Sequence, residues 1–375
     1  MFSLICCRTG KKYAAIKTYN YSALKMTAKK TYKAKTESFP ENLNNSGNKP
    51  FFAEISGAVS GGEYIYLVND KPIQDKSPIF KIHFDKQNSK FHQDITYLTS
   101  PIISSSEKFE DITITPDGKY IIASTAFDRV MPGTNKLDNY NKLITWSTDN
   151  EDSVTVINHT YNDGIISSVS LRENIKKCLA DTDFPEGPEY FKIEGLTALP
   201  NNKILLGIRE YGKKHDDFNY TIKIICSEYF IEKNKLNIKN DWKLIYNFDT
   251  AKMKELNYKQ LGLSGLTFDP VNNILYILTS YEDSISGFDG YLWYITLEDF
   301  FNSKQLSAVY DETGNEFLSF NPHKPEGAAL IDAETLLIVY DDDRMLTMTS
   351  KKDNSIEYKR KPNEFWYEII KIKRK

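Results

Sequence analysis

The sequence predicts an all-β protein: a single β-propeller, read as five four-stranded blades with room for a sixth. Three observations predict it. Five short segments are versions of one another: Ser56-Gly57-Ala58-Val59, Glu110-Asp111-Ile112-Thr113, Glu194-Gly195-Leu196-Thr197, Ser264-Gly265-Leu266-Thr267 and Glu326-Gly327-Ala328-Ala329. Each first residue is followed six positions later by a turn residue (Gly62, Pro116, Pro200, Pro270 or Asp332). An apolar run then follows at 64–68, 120–123, 204–208, 274–278 or 336–340. The anchors are 54, 84, 70 and 62 residues apart, and a four-stranded blade takes roughly 40–50 residues plus its loops.

The elements follow in order. Residues 1–36 hold nine basic residues and no acid. Residues 1–30 read as a basic segment, flexible or targeting; they are poor in acids like a transit peptide, though only Arg8 among them is an arginine. The propeller domain is expected over 31–375. Residues 31–39 alternate around Tyr32 and read as a strand, and 40–50 as the loop into the first repeat. Third strands are expected at 80–84, 154–157, 221–225, 290–295 and 365–370. The 84-residue interval leaves a surplus in which 170–179 reads as a short amphipathic helix. The fifth blade runs out of chain after its third strand, and a ring must hide its edges. The strand at 30–39 is therefore expected to close the ring against the C-terminal strand.

Composition narrows the function. Aromatic residues make up 13%, which suits β packing. Beyond residue 36 the chain carries 39 basic and 51 acidic residues, a net of −12, which argues against nucleic acid as a partner. No apolar run approaches the length of a membrane helix, about 18 residues. Cys6, Cys7, Cys178 and Cys226 form no CxxC, so neither a zinc site nor a redox motif is indicated.

Propeller topology then places the chemistry. Each inner strand begins at one face, and the second strand returns to that face. Ser56, Glu110, Asp111, Glu194, Ser264 and Glu326 should therefore ring the central channel. Asn69, Asp70, Asp128, Arg129, Arg209, Glu210, Glu282, Asp283, Asp341, Asp342, Asp343 and Arg344 should lie on the same side, with Glu186 and Glu189 able to cover the mouth. Converging carboxylates need compensation. A divalent cation is one remedy, with Ca²⁺ best suited to oxygen ligands and Glu110, Asp111, Glu194 and Glu326 as its ligands. Pairing with Arg209 and Arg129, and capping of backbone groups in the neighbouring blade, is the other. His323, three residues before Glu326, is the better placed general base, and His215 the other histidine in reach. Glu194, Glu326, His323 and Arg209 form the catalytic set; Arg129, Arg209, Glu210, Asp342 and Arg344 would bind substrate. No GxSxG, P-loop, HExxH or GxGxxG occurs.

The segments 193–197, 204–209, 324–328 and 339–343 resemble an uncharacterised, mainly bacterial propeller family of unknown function. The wider pattern, Ser-Gly-Leu or Glu-Gly-Leu followed by a turn and Leu-Tyr, is similar to the esterase-like phytase and SdiA-regulated propellers. The resemblance covers about residues 50–345. The phytase-like group would imply Ca²⁺ and hydrolysis of a phosphoester or ester. The chain departs from an all-carboxylate pattern at Ser56 and Ser264. Two functions follow: a metal-assisted hydrolase of small phosphorylated or ester substrates, or a non-catalytic propeller that binds a small anionic molecule or a protein on its top face. Unpaired axial carboxylates would favour the first, and fully paired ones the second.

Overall fold

The computed structural model describes residues 25–374, except 46–48, 74, 132, 258, 284–286 and 350–355. Most of the basic segment, with Cys6 and Cys7, lies outside the described residues. Strand β1 (Met26–Glu37) comes first. Blade 1 is β2 (Ile55–Gly61), β3 (Tyr64–Asn69), β4 (Ile79–Asp85) and β5 (Lys90–Tyr97). Helix α1 (Pro101–Ser104) leads to blade 2, formed by β6 (Phe109–Ile114), β7 (Tyr120–Thr125), β8 (Leu143–Ser147) and β9 (Asn150–Val156). A hairpin of β10 (Thr160–Asn162) and β11 (Ile165–Ser167), then helix α2 (Arg172–Cys178), fill the long interval. The surplus there is decoration, and no sixth blade forms.

Blade 3 is β12 (Tyr190–Leu199), β13 (Lys203–Lys214) and β14 (Asp217–Glu232). The far end of β14 pairs with β15 (Lys235–Ile238), and its middle pairs with the outer strand β16 (Lys243–Phe248). Blade 4 is β17 (Gly262–Asp269), β18 (Ile274–Asp283) and β19 (Gly287–Thr296), then, after helix α3 (Leu297–Phe301), β20 (Ser307–Ala308). Blade 5 begins with β21 (Pro325–Asp332) and β22 (Thr335–Tyr340). A hairpin of β23 (Thr347–Thr349) and β24 (Ile356–Lys359) precedes its third strand, β25 (Glu364–Arg374).

The ring closes as expected. β1 is the outer strand of blade 5, antiparallel to β25 from Met26 opposite Arg374 to Glu37 opposite Glu364. It begins five residues earlier than the alternation around Tyr32 suggested. One expectation is corrected: residues 154–157 belong to the outer strand β9 and the loop after it, and the third strand of blade 2 is β8. Leu143, Ile144 and Trp146 of β8 are buried, whereas β9 exposes most of its first half. Two apolar runs of similar length competed for one place, and burial from both sides selected the earlier.

Apolar packing is organised by blade pairs. One buried cluster joins blades 1 and 2 through Val68, Ile79, Ile112 and Ile144, and another joins blades 2 and 3 through Ile122, Leu143, Ile193 and Leu206. Blades 3 and 4 meet through Leu205, Ile224, Leu263 and Trp293, and blades 4 and 5 through Tyr276, Leu292, Leu336 and Ile370. The fifth cluster joins blade 5 to blade 1 through Leu337, Ile369, Ile65 and Phe80. The second strands are thus covered on both sides, which is why they read as continuous apolar runs. The β12–β13 loop is Pro200-Asn201-Asn202, with both asparagines at positive φ, a conformation that asparagine tolerates. No helix among the described residues is long and apolar enough to cross a membrane.

Candidate functional site: a buried charge ring at the mouth of the channel

The anchors do meet at one mouth, and each Glu anchor there is preceded by a lysine two residues earlier. The pairs are Lys108/Glu110, Lys192/Glu194 and Lys324/Glu326. Lys108 Nζ lies 3.6 Å from Glu110 and 2.7 Å from Asp128. Lys192 contacts Glu194 and lies 3.3 Å from Glu110 in the blade before it. Lys324 lies 2.9 Å from Glu326 and reaches back 2.7 Å to Glu282 of blade 4. Lysine-x-glutamate is therefore a repeated ionic unit that ties a blade to itself or to its predecessor. It is visible in the sequence in three of five repeats, but a lysine two positions from a glutamate in a strand does not by itself signal an ion pair.

The two other blades solve the same problem differently. Blade 4 has Gly262 at the lysine position, and the guanidinium of Arg209 from blade 3 fills the neighbouring space. Arg209 is fully buried. It lies 3.2 Å from Glu194, 3.5 Å from Glu282 and 3.6 Å from Glu210, and donates to Ser280 Oγ at 2.6 Å. Blade 1 has Glu54 at the lysine position, and Lys71 supplies the cation, contacting Asp70 and lying 3.1 Å from Glu54. The serine anchors replace an ion pair by a cap: Ser56 Oγ donates to Phe109 O and Ser264 Oγ to Pro325 O, each at 2.7 Å and each in the next blade.

Asp111 stands apart from the other anchors. It occupies the position held by Gly57, Gly195, Gly265 and Gly327 in the other blades. The inner strands approach closely here: a Cβ on Gly265 would sit 2.4 Å from the Glu326 carbonyl oxygen, and one on Gly57 would sit 2.8 Å from Asp111 Cα. The Asp111 carboxylate accepts the amides of Ile112 at 2.8 Å and Leu196 at 2.7 Å, and the Leu266 amide of blade 4 also faces it. One side chain thus bonds amides of blades 2 and 3 and lies beside one of blade 4. Below this neck the channel widens into a cavity of about 460 Å³ at the opposite end, lined by Thr113, Thr115, Thr197, Thr267, Tyr66 and Phe268.

The remaining expected residues are placed as follows. His323 is fully buried, stacked on Tyr340 with ring centroids 4.6 Å apart and flanked by Tyr358 and Trp366. Its Nδ1 is 2.7 Å from Asp342 Oδ2, and its Nε2 has no hydrogen-bond partner among the described residues. Asp342 also accepts the Lys324 amide. Glu210 accepts from Tyr190 at 2.6 Å. Arg129 and Arg344 are exposed, and Arg129 leans on Tyr140. His215 lies exposed on the β13–β14 hairpin. Glu189 pairs with Lys176 of α2 at 2.5 Å, and Glu186 is exposed. The side chain of Asp283 lies outside the described residues.

Carboxylates outnumber cations in this network, and burial sorts them. Burial lifts the Glu110 carboxyl from its ordinary 4.5 to about 8, against the pull of Lys192 and Lys108. Burial likewise raises Glu54, Glu326 and Asp341, and raises Asp111 against the amides that face it. Burial would raise Glu194 too, but Arg209 and Lys192 outweigh it and hold that carboxyl low. Lys324 holds Glu282 down at about 2. The ring thus combines carboxyls that burial pushes toward the neutral form with ion-paired anions.

This contrast sets a test. Between 4.5 and about 8 the folded protein keeps a proton on Glu110 that the unfolded chain has released, so this group makes stability fall as pH rises through that window. Glu110→Gln, which mimics the protonated acid, is expected to remove that slope: it should match the wild type near pH 4.5 and become increasingly more stable than it as pH rises toward about 8. Glu194→Gln is expected to cost about 3 kcal/mol, because it strips a buried partner from Arg209 and Lys192. That cost should shrink on acidification through the depressed Glu194 pKa. Urea unfolding of both variants across the pH range reads the difference.

No protein-family model matches this chain, and no curated protein does. Three of the solved structures similar to it are the nidogen/laminin complex, the PQQ-bound aldose sugar dehydrogenase from Streptomyces coelicolor and the catalytic domain of a Coprinopsis cinerea GH62 α-L-arabinofuranosidase. The first is 11% identical, covering 93% of this chain and 98% of that one, with a TM-score of 0.39. The second is 10% identical, covering 91% and 99%, at 0.37, and the third is 10% identical, covering 93% and 98%, at 0.44. At this distance none of them bears on what this chain does.

Proposed function

We propose that the protein is a non-catalytic binding propeller whose acidic mouth receives a positively charged group from a ligand or a partner protein. The observation that carries this is the excess of carboxylates over cations in the buried ring. Within it, Asp70 Oδ1 and Asp128 Oδ1 are buried and accept no hydrogen bond among the described residues. Glu110, Glu194 and Glu326 already meet lysine or arginine, and the Ser56 and Ser264 hydroxyls are committed to backbone carbonyls. His323 lies inside an aromatic box. These groups hold the mouth together and leave few of them free to attack a substrate.

The second reading is a Ca²⁺-assisted hydrolase of phosphorylated or ester substrates, as the likeness to phytase-like propellers implies. In its favour are the exposed Arg129 and Arg344, which follow the second strands of blades 2 and 5 and would suit an anionic ligand. Calorimetric titration separates the two. Saturable binding of spermidine or an arginine-rich peptide, weakened by salt and by Glu282→Gln, is the expected result. Turnover of p-nitrophenyl phosphate or acetate by Ca²⁺-loaded protein, lost in Glu326→Gln, would replace this reading by the hydrolase. Preferential binding of sugar phosphates, lost in Arg129→Ala, would replace the cationic ligand by an anionic one.

A further inference from the structure

The lysine position of the repeat changes sign at one blade. Where blades 2, 3 and 5 carry Lys108, Lys192 and Lys324, blade 1 carries Glu54. Glu54 faces two further acids. Asp70 follows the second strand of its own blade, and Asp341 follows the second strand of blade 5, which packs against blade 1. All three are buried, and one ligand atom from each lies within 4.8 Å of the others. The backbone holds them there. The Glu54 amide donates to Asn69 Oδ1 at 2.9 Å, the Asp70 amide donates to the Glu54 carbonyl at 2.8 Å, and the Asp341 amide donates to the Lys324 carbonyl at 3.1 Å.

An independent observation points to a missing partner. Asp70 is 7% exposed, and its Oδ1 is buried with no hydrogen bond among the described residues. A buried carboxylate oxygen is otherwise almost always satisfied. Lys71 is the local cation, yet its side chain is 37% exposed, far more than the lysines of the other blades. It sits at the solvent edge of the acids. Carboxylate oxygens around a Ca²⁺ ion bind at about 2.3–2.6 Å, so they lie up to about 5 Å from one another, the spacing seen here.

We propose that Glu54, Asp70 and Asp341 form a binding site for a hard divalent cation, Ca²⁺ in particular, at the junction of blades 1 and 5, and that Lys71 is the internal counterion it displaces. The donors are all oxygens, and three carboxylates leave room for water to complete the coordination sphere. Such an ion would bridge the closing junction of the ring. This site goes beyond the partner proposed above: its occupant is a bare ion, and it is read with no organic ligand present.

The test titrates CaCl₂ into chelator-treated full-length protein by calorimetry, with circular dichroism confirming the fold of each variant. The wild type is expected to bind one ion saturably, and Glu54→Gln and Asp341→Asn each to weaken it at least tenfold. Lys71→Met is expected to bind more tightly than wild type and to gain more thermal stability from Ca²⁺, a result that misfolding cannot imitate. Absence of saturable heat in both the wild type and Lys71→Met overturns the proposal. So does binding that survives Glu54→Gln but is lost in Glu194→Gln or Glu326→Gln, since the ion would then sit in the axial ring.

Discussion

Replacing Asp111 by alanine is expected to destabilise the protein more than any other single change at the mouth, by on the order of 5 kcal/mol. The side chain accepts amides from its own blade and from blade 3 where the inner strands lie close together, and the Leu266 amide of blade 4 faces it. Removing it leaves two buried N–H groups without their acceptor, and a buried unsatisfied donor costs about 1–3 kcal/mol. The strands have little room to close the gap, because even a Cβ on Gly265 or Gly57 would collide with the backbone of the next blade. Formate, a free carboxylate, should enter the vacated space and recover part of the loss. Urea unfolding with and without formate measures both effects. A variant as stable as the wild type would show that water serves these amides equally well.

Arg209→Met is expected to be the second most damaging, at about 4 kcal/mol, the range for removing one partner from a buried charge cluster. It leaves Glu194, Glu210 and Glu282 without their shared guanidinium and the Ser280 hydroxyl without its donor. The repeat supplies a specific compensation. Gly262 stands where three other blades have lysine, and a Cβ there would lie 2.8 Å from Arg209 Cγ. Gly262→Lys alone should therefore be destabilising, because two cations compete for one space. Combined with Arg209→Met, it should cost less than the sum of the two single changes, since a lysine at 262 can approach Glu194 as Lys192 approaches Glu110. The coupling energy from the double-mutant cycle decides the matter. Simple additivity would mean that Gly262 is small for another reason.

The regular features of this protein were legible because they repeat. Five anchors, five turn residues and five apolar runs report strands covered on both sides, and such strands must be apolar along their length. The missing fourth strand of blade 5 and its supply from the N-terminal side followed from the need to hide an edge. Blade 2 was less legible, because residues 143–147 and 154–157 are both short apolar runs and only burial separates them. At the site, the carboxylates at 110, 194 and 326 were expected at the mouth and are there. Their lysines were visible two residues upstream, but a lysine two positions from a glutamate in a strand reads as ordinary alternation until both side chains are seen to face the same axis.

The amino-acid sequence alone determined the fold class, the blade number within one, the closure strand and the face that carries the charge, because each of these depends on local periodicity repeated along the chain. Only the tertiary structure decided which charges meet. Arg209 fills the space beside Gly262, Asp111 accepts the Leu196 amide of blade 3, and Glu54 and Asp70 face Asp341 across the closing junction. Each of these contacts joins residues about 50 to 290 positions apart, and their energies depend on burial and on distances of a few ångströms, which no spacing along a strand encodes.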